Sequence, residues 1–217
     1  MEPWKELETA RAELVNLQPD IRGEVSPGAH ILGVLALGEG SVVLPGTVIE
    51  GHVRIGRGCR IGPNAYLRGE TSVGDGCVIG NAVEVKNSLL GNQVFVAHLS
   101  YIGDSIIRDD VNVGGGCIFS NFRHDAGEIR MPWQGQLQAT GLNKLGCVVG
   151  SHSRIGCKCV ILPGRVLPEG TQTYPGRAAG AVDSTGGAAA SENLRADVYS
   201  CPHGGAGGRP PGLPRPA

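Results

Sequence analysis

Branched aliphatic residues recur at every sixth position through the first part of the chain: Val25, Ile31, Leu37, Val43, Ile49, Ile55, Ile61, Leu67, Val73, Ile79 and Val85. A fixed period outranks other patterns because it sets the whole architecture. The position after the aliphatic is often glycine (Gly38, Gly56, Gly62, Gly74, Gly80), and the position two before it is small (Ala29, Ser41, Thr47, Cys59, Ala65, Thr71, Cys77). A period of six with glycine at the turn describes a short strand followed by a corner. The aliphatic points into a narrow prism, the small residue fits beside it, and glycine takes backbone angles closed to residues with a Cβ. Three hexapeptides complete a coil of about eighteen residues, so the pattern predicts an all-β solenoid.

The phase slips by one residue at Leu90, resumes at Val96 and Ile102, slips again at Ile107, and continues at Val113 and Phe119. It returns as Val149, Ile155, Ile161 and Leu167, so residues 120–146 are expected to leave the solenoid as an excursion, and long excursions are usually functional. Ahead of the repeat, residues 3–17 place Trp4, Leu7, Leu14 and Leu17 at helical spacing behind Pro3, which predicts one amphipathic helix. Residues 176–217 carry Gly, Ala and Pro without a period and read as a disordered tail. The expected organisation is an arm helix in 1–20, a solenoid domain in 21–175 and the tail in 176–217.

Composition agrees with a repeat protein. There are 36 glycines against two Trp, three Phe and four Tyr, so the core rests on aliphatic residues and tight turns. A net charge of −1 without a Lys/Arg run argues against nucleic-acid binding. No apolar stretch reaches membrane-spanning length, and Glu2, Glu6 and Glu8 stand where a signal peptide would be basic and then apolar, so no membrane association and a cytoplasmic location are expected. The seven cysteines (Cys59, Cys77, Cys117, Cys147, Cys157, Cys159, Cys201) show no C-x-x-C pair, and most read as small thiols within the repeat.

In a solenoid, sequence offsets become distances, because residues one coil apart stack about 4.8 Å from each other. Arg68 and Lys86 both follow their aliphatic and form a vertical pair of cations. At an effective dielectric near 20 such a pair repels by about 3.5 kcal/mol, so an anion is expected between or beside them. Glu50 and Glu84 offer a plain salt-bridge ladder. A phosphate is the alternative, since Arg presents a two-pronged donor face and Lys a point charge. With Ile102 stacked over Val85, Tyr101 lies above Glu84 and joins the row. His98 falls around a corner from it, in a neighbourhood with the amide of Asn112 and the backbone N–H groups of Gly114, Gly115 and Gly116, which could hold a developing oxyanion.

At E-V-K-N (84–87), A-H-L-S-Y-I-G-D (97–104), D-V-N-V-G-G-G (110–116) and Ser120-Asn121-Phe122, the chain resembles the acetyltransferase domain of the bacterial bifunctional glucosamine-1-phosphate acetyltransferase/N-acetylglucosamine-1-phosphate uridyltransferase family. The match covers roughly residues 45–172. The resemblance implies a left-handed parallel β-helix, a homotrimer with active sites between subunits, and acetyl-CoA as co-substrate without a metal. It implies His98 as general base, with Arg68, Lys86, Tyr101, Asn112, Asn121 and Lys144 toward the amino-sugar phosphate and Gly115 and Cys157 toward acetyl-CoA. Gly115 stands where the family commonly has Ala, and Cys117 where it has Thr. Residues 3–17 resemble the family's connecting arm. The long excursion is more like the tails of archaeal sugar-phosphate nucleotidyltransferases. No nucleotide-binding Gly-rich loop precedes the repeat, so a separate nucleotidyltransferase chain is an expected partner.

Two other readings remain open on the sequence. One is a non-catalytic trimerisation or regulatory domain of a sugar nucleotidyltransferase. The other, a zinc carbonic anhydrase on the same scaffold, needs three converging histidines, which the spacing of His30, His52, His98, His124, His152 and His203 does not supply.

Overall fold

The computed structural model describes residues 1–179, with short parallel strands stacked into three sheets of eight, seven and eight strands. Each coil gives one strand to each sheet, which makes a three-sided prism: a parallel β-helix, the class expected from the period of six. Its first face runs from Asp20–Ile21 to Val166–Leu167, its second from Glu24–Val25 to Arg154–Ile155, and its third from His30–Ile31 to Ala178–Ala179. Inside, Ile49, Ile61, Leu67, Ile79, Val85 and Phe119 are wholly buried. The small residues two positions earlier sit at the corners and stitch successive coils together. Ser41 Oγ donates to Gly56 O (2.7 Å) and accepts from Cys59 N (2.9 Å). Cys59, Cys77, Cys117, Cys147 and Cys159 are buried and Cys157 is exposed. Cys201 lies outside the described residues.

The slips are coils shortened from 18 residues to 17. Val85 stacks on Leu67, Ile102 on Val85 and Phe119 on Ile102. Each shortened coil loses its residue between the third and first faces, where Asn87 and Asp104 turn the chain at a φ of 48°. Val149 then stacks on Ile107. Between Phe119 and Val148 the chain leaves the prism and forms an antiparallel hairpin, Arg130–Trp133 with Gln136–Ala139.

Two sequence expectations need correction. The helix α1 spans Pro3–Leu14 and does not reach Leu17. Asn16 is a poor helix former and Gln18 is biased toward extended backbone by Pro19, so the chain closes a single turn, Leu17 N to Leu14 O at 2.8 Å, and stops. The regular structure also outlasts position 175: Gly176 turns at a φ of 73°, and Ala178–Ala179 adds a strand beside Val160–Ile161. Ala179 takes the inward position over Ile161 without a branched aliphatic, so the aliphatic period gave no warning. From residue 180 onward the proposed tail lies outside the described residues.

Far from extending as an arm, α1 lies docked on the first face. Trp4 and Leu7 pack with Ile129 and Met131 of the excursion, with Leu145, and with the outward side chains of Ile106 and Val148. Glu6 receives both Nη groups of Arg108, at 2.6 and 2.7 Å. Farther along, the helix packs against His52–Ile55 and Glu70–Val73. Its 12 residues make about 18 Å, nearly four coils of the prism. Each large side chain buried there contributes about 1.5–3 kcal/mol.

Candidate active site

On the third face, Tyr66, Glu84, Tyr101 and Ile118 stand in one outward row, and Arg68, Lys86 and Gly103 in the next. Arg68 thus lies directly under Lys86, and Tyr101 lies over Glu84. The ring of Tyr101 leans across Gly103, where a Cβ would meet its Oη at 2.4 Å and its Cζ at 2.7 Å. Burial, then the charges of Asp104 and Glu84, raises the phenol of Tyr101 above its ordinary range, so it remains a protonated donor.

Both cations have carboxylates beside them. Glu84 accepts from Arg68 Nε (2.8 Å) and Nη2 (2.7 Å), and Asp104 from Lys86 Nζ (3.3 Å). Glu50 does not join this ladder. It takes the hydroxyl of Tyr66 instead, while the Arg68 guanidinium sits 5.4 Å from the centroid of the Tyr66 ring.

Asp104 is the residue that sequence reasoning passed over, although it closes the motif 97–104. Its side chain is 3% exposed. It accepts from Lys86, from Asn87 Nδ2 (3.3 Å), from Asn121 Nδ2 and from Arg11 Nη2 of the docked helix. A signal was present. The corner between the third and first faces is left-handed in Gly51, Gly69, Asn87 and Asp104 in turn. Where glycine gives way to Asn and then Asp, the L-residues that best tolerate that region, a side chain is being placed deliberately at a corner. The two ends of the excursion meet here as well. Leu145 N donates to Asn121 O (3.0 Å), Gly146 N to Asp104 O (2.8 Å), and Phe122 bridges to the exposed Lys144.

His98 ends the second-face strand Phe95–His98, at the corner where the chain turns onto the third face. Successive coils stack there as Asn81, His98, Gly115 or Gly116, and Cys157, joined by Leu99 N to Asn81 O (3.0 Å), Gly116 N to His98 O (3.2 Å), Lys158 N to Gly115 O (2.9 Å) and Gly176 N to Cys157 O (2.8 Å). A Cβ on Gly115 would lie 3.4 Å from the Cβ of His98. The imidazole is exposed, and Ser100 Oγ pins its backbone carbonyl at 2.8 Å.

The structure therefore gathers Arg68, Lys86, Tyr101, Asn121 and Lys144 on the third face and its far corner, and His98, Gly115 and Cys157 in one column at the near corner. It does not bring Asn112 to them. Asn112 lies on the second face between Phe95 and Arg154, because it precedes Val113, a second-face aliphatic. Nor do all three glycines keep their N–H groups: Gly114 donates to Ile155 O (2.8 Å) and Gly116 to His98 O. Among the described residues, no three His, Cys, Asp or Glu side chains converge on a metal position, and no helix is long and apolar enough to cross a membrane.

The sequence of the chain has relatives among known proteins. Residues 43–173 match the family model described as GMPPB C-terminal domain. A protein of Methanocaldococcus jannaschii named bifunctional protein GlmU is 35% identical over 162 residues, 75% of this chain and 40% of the relative. A bifunctional sugar-1-phosphate nucleotidylyltransferase/acetyltransferase of Sulfurisphaera tokodaii is 40% identical over 95 residues, 44% of this chain and 24% of the relative. The resemblance read from the motifs is thus met in named relatives, although the chain spans less than half of their length. Among solved structures, the acetyltransferase domain of PglB from Neisseria gonorrhoeae aligns with a TM-score of 0.34 at 17% identity, over 78% of this chain and 62% of that one. The family assignment rests on the sequence match, which covers more than half of the residues: the chain belongs to the GMPPB C-terminal domain family.

Proposed function

We propose that this chain is an acyltransferase that moves an acetyl group from acetyl-CoA to the amine of an amino-sugar 1-phosphate, glucosamine 1-phosphate in type, in nucleotide-sugar biosynthesis. The observation that carries the reading is the pair of corners that flank the third face: His98 stacked beside Gly115 at one, and Lys86 with Tyr101 and Asn121 toward the other. His98 accepts the proton of the substrate amine as its nitrogen attacks the thioester carbonyl. The N–C bond forms, the tetrahedral intermediate collapses, the C–S bond breaks, and the proton passes to the departing thiolate of coenzyme A. Backbone donation to the oxyanion falls to Gly115, since its neighbours are engaged in the coil ladder. Lys86 and Arg68 face the phosphate, with Tyr101, Asn121 and the exposed Lys144 beside it. Gly115 and Cys157 line the column along which acetyl-CoA lies. No step requires a metal.

Asn112 sits around the corner from this row, which supports a site closed by a second copy within a homotrimer. The first face is covered by α1 and the excursion, so the second and third faces are the ones left for assembly. A cytoplasmic enzyme working beside a separate nucleotidyltransferase chain completes the proposal.

A second reading, a non-catalytic β-helix domain of a sugar-phosphate nucleotidyltransferase, is favoured by the ion pairs that already answer both cations within the chain. Release of free thiol from acetyl-CoA, with and without glucosamine 1-phosphate, separates the two. Release dependent on the sugar phosphate is expected. Its absence in the trimeric protein overturns the enzymatic reading.

A further inference from the structure

We infer that α1 is part of the phosphate half of the site, with Arg11 as a positioning residue that sets how much of the Lys86 charge is available to an anionic substrate. The inference rests on the sugar-phosphate reading above. Its starting point is the sharing of Asp104 between two cations from distant parts of the chain. Arg11 takes one carboxylate oxygen at close range, and Lys86 stands 3.3 Å from the other. Asn121 shares the oxygen that faces Lys86. Arg11 also donates to the carbonyl of Asn87 (3.0 Å), so the guanidinium braces the corner from which Lys86 projects.

Charge in the row follows from this sharing. Arg68 is matched by Glu84, and Asp104 is the carboxylate beside Lys86. Without Arg11, Asp104 would belong to Lys86 alone and the four groups Arg68, Glu84, Lys86 and Asp104 would sum to zero. Arg11 adds one positive charge at the edge where Lys86, Tyr101 and Asn121 converge, while the carboxylate of Glu50 lies a coil below, on Tyr66. The side chains of Arg11 and Lys86 are only 22% and 17% exposed, so solvent screens the exchange weakly. At a separation of about 8 Å and an effective dielectric of about 20, one such charge changes the affinity for a singly charged anion by about thirtyfold, which residual salt screening brings down toward about tenfold. Arg11 can reach Asp104 only with α1 on the first face, where the pair of Glu6 with Arg108 holds the opposite end of the helix.

Three variants test this by steady-state kinetics with glucosamine 1-phosphate and acetyl-CoA. Arg11→Met keeps the apolar stem and removes the charge. We expect KM for the sugar phosphate to rise about tenfold, with kcat and KM for acetyl-CoA changed less than about twofold. Arg11→Lys should recover most of the loss. Arg108→Gln removes the ion pair at the far end of the helix without touching Asp104, the apolar packing of Trp4 and Leu7 still holds α1 on the face, and both KM values should stay near the parent. An unchanged sugar-phosphate KM in Arg11→Met, or equal rises in both KM values in Arg11→Met and Arg108→Gln, overturns the inference while leaving the transferase reading intact. Should the parent transfer no acetyl group, that reading fails by itself, and calorimetric titration with inorganic phosphate decides on Arg11. Binding about tenfold tighter in the parent than in Arg11→Met upholds it. Equal or undetectable binding in both overturns it.

Discussion

Gly103→Ala isolates the position of Tyr101 from the rest of the fold. Gly103 is not among the residues with positive φ, so alanine suits its backbone. The added Cβ, however, would stand 2.4 Å from Tyr101 Oη, 2.7 Å from Cζ and 2.8 Å from Asn121 Nδ2, where ordinary contact begins at 3.4 Å. The phenol must retreat by about 1 Å, and Asn121 resists from the other side because its amide is held by Asp104. A swing of that size leaves the ring near its rotamer at a cost of about 0.5–1.5 kcal/mol, a melting shift of only a few degrees for a chain of this size. Misplacing a substrate-facing group by about 1 Å can cost about a hundredfold in rate. The assay is kcat/KM for the sugar phosphate alongside a thermal melt. A variant that melts within a few degrees of the parent and retains full kcat/KM would show that the Tyr101 hydroxyl has no part in the reaction.

Other outcomes follow from the same geometry. His98→Ala removes an exposed imidazole while Val96 still fills the prism, so the fold should persist and turnover should fall by about 10²–10⁴-fold, read in the thiol-release assay. Lys86→Ala should weaken sugar-phosphate binding by about 1.5–3 kcal/mol with coenzyme affinity unchanged, measured by titration calorimetry. Leu7→Ala, at a side chain 1% exposed between face and excursion, should cost about 2–5 kcal/mol in a urea melt. Burial pushes the Cys147 thiol up to about 12 from its ordinary value of 9.0. The folded state therefore holds that proton more tightly than the unfolded chain. The resulting stability is complete below the unfolded value and is lost as pH rises through the folded one, so urea midpoints should fall between about pH 9 and about pH 12, and less so in Cys147→Ala.

The prism was legible because its rule is local. Each inward aliphatic announces itself at a period of six, and Leu90 and Ile107 disclosed the shortened coils by arriving one residue early. The same arithmetic put Tyr101 over Glu84 and Lys86 over Arg68, since stacking converts offsets into neighbours. It could also have separated Asn112 from that row, because Val113 continues the second-face series of Ile79 and Val96. Asp104 was harder. Its partner Arg11 lies 93 residues away on a helix whose apolar stripe shows that something is covered but not what. The choice of Tyr66 over Arg68 by Glu50 depended on side-chain rotamers, which no spacing encodes.

The docking of α1 bears on how the chain unfolds. A stack of coils is nearly one-dimensional: each layer touches only its neighbours, so such a protein can fray from either end in steps. Here the first element of the chain is clamped to a residue 102 positions away, and the excursion closes over the same surface. The middle coils cannot separate without releasing the helix, and the helix cannot leave without baring Ile106, Val148 and the buried carboxylate of Asp104. These long-range ties convert a string of weakly coupled layers into one cooperative block. Denaturation should accordingly follow a single transition in which the loss of α1 and of the middle coils coincide, while the outermost coils remain free to open alone.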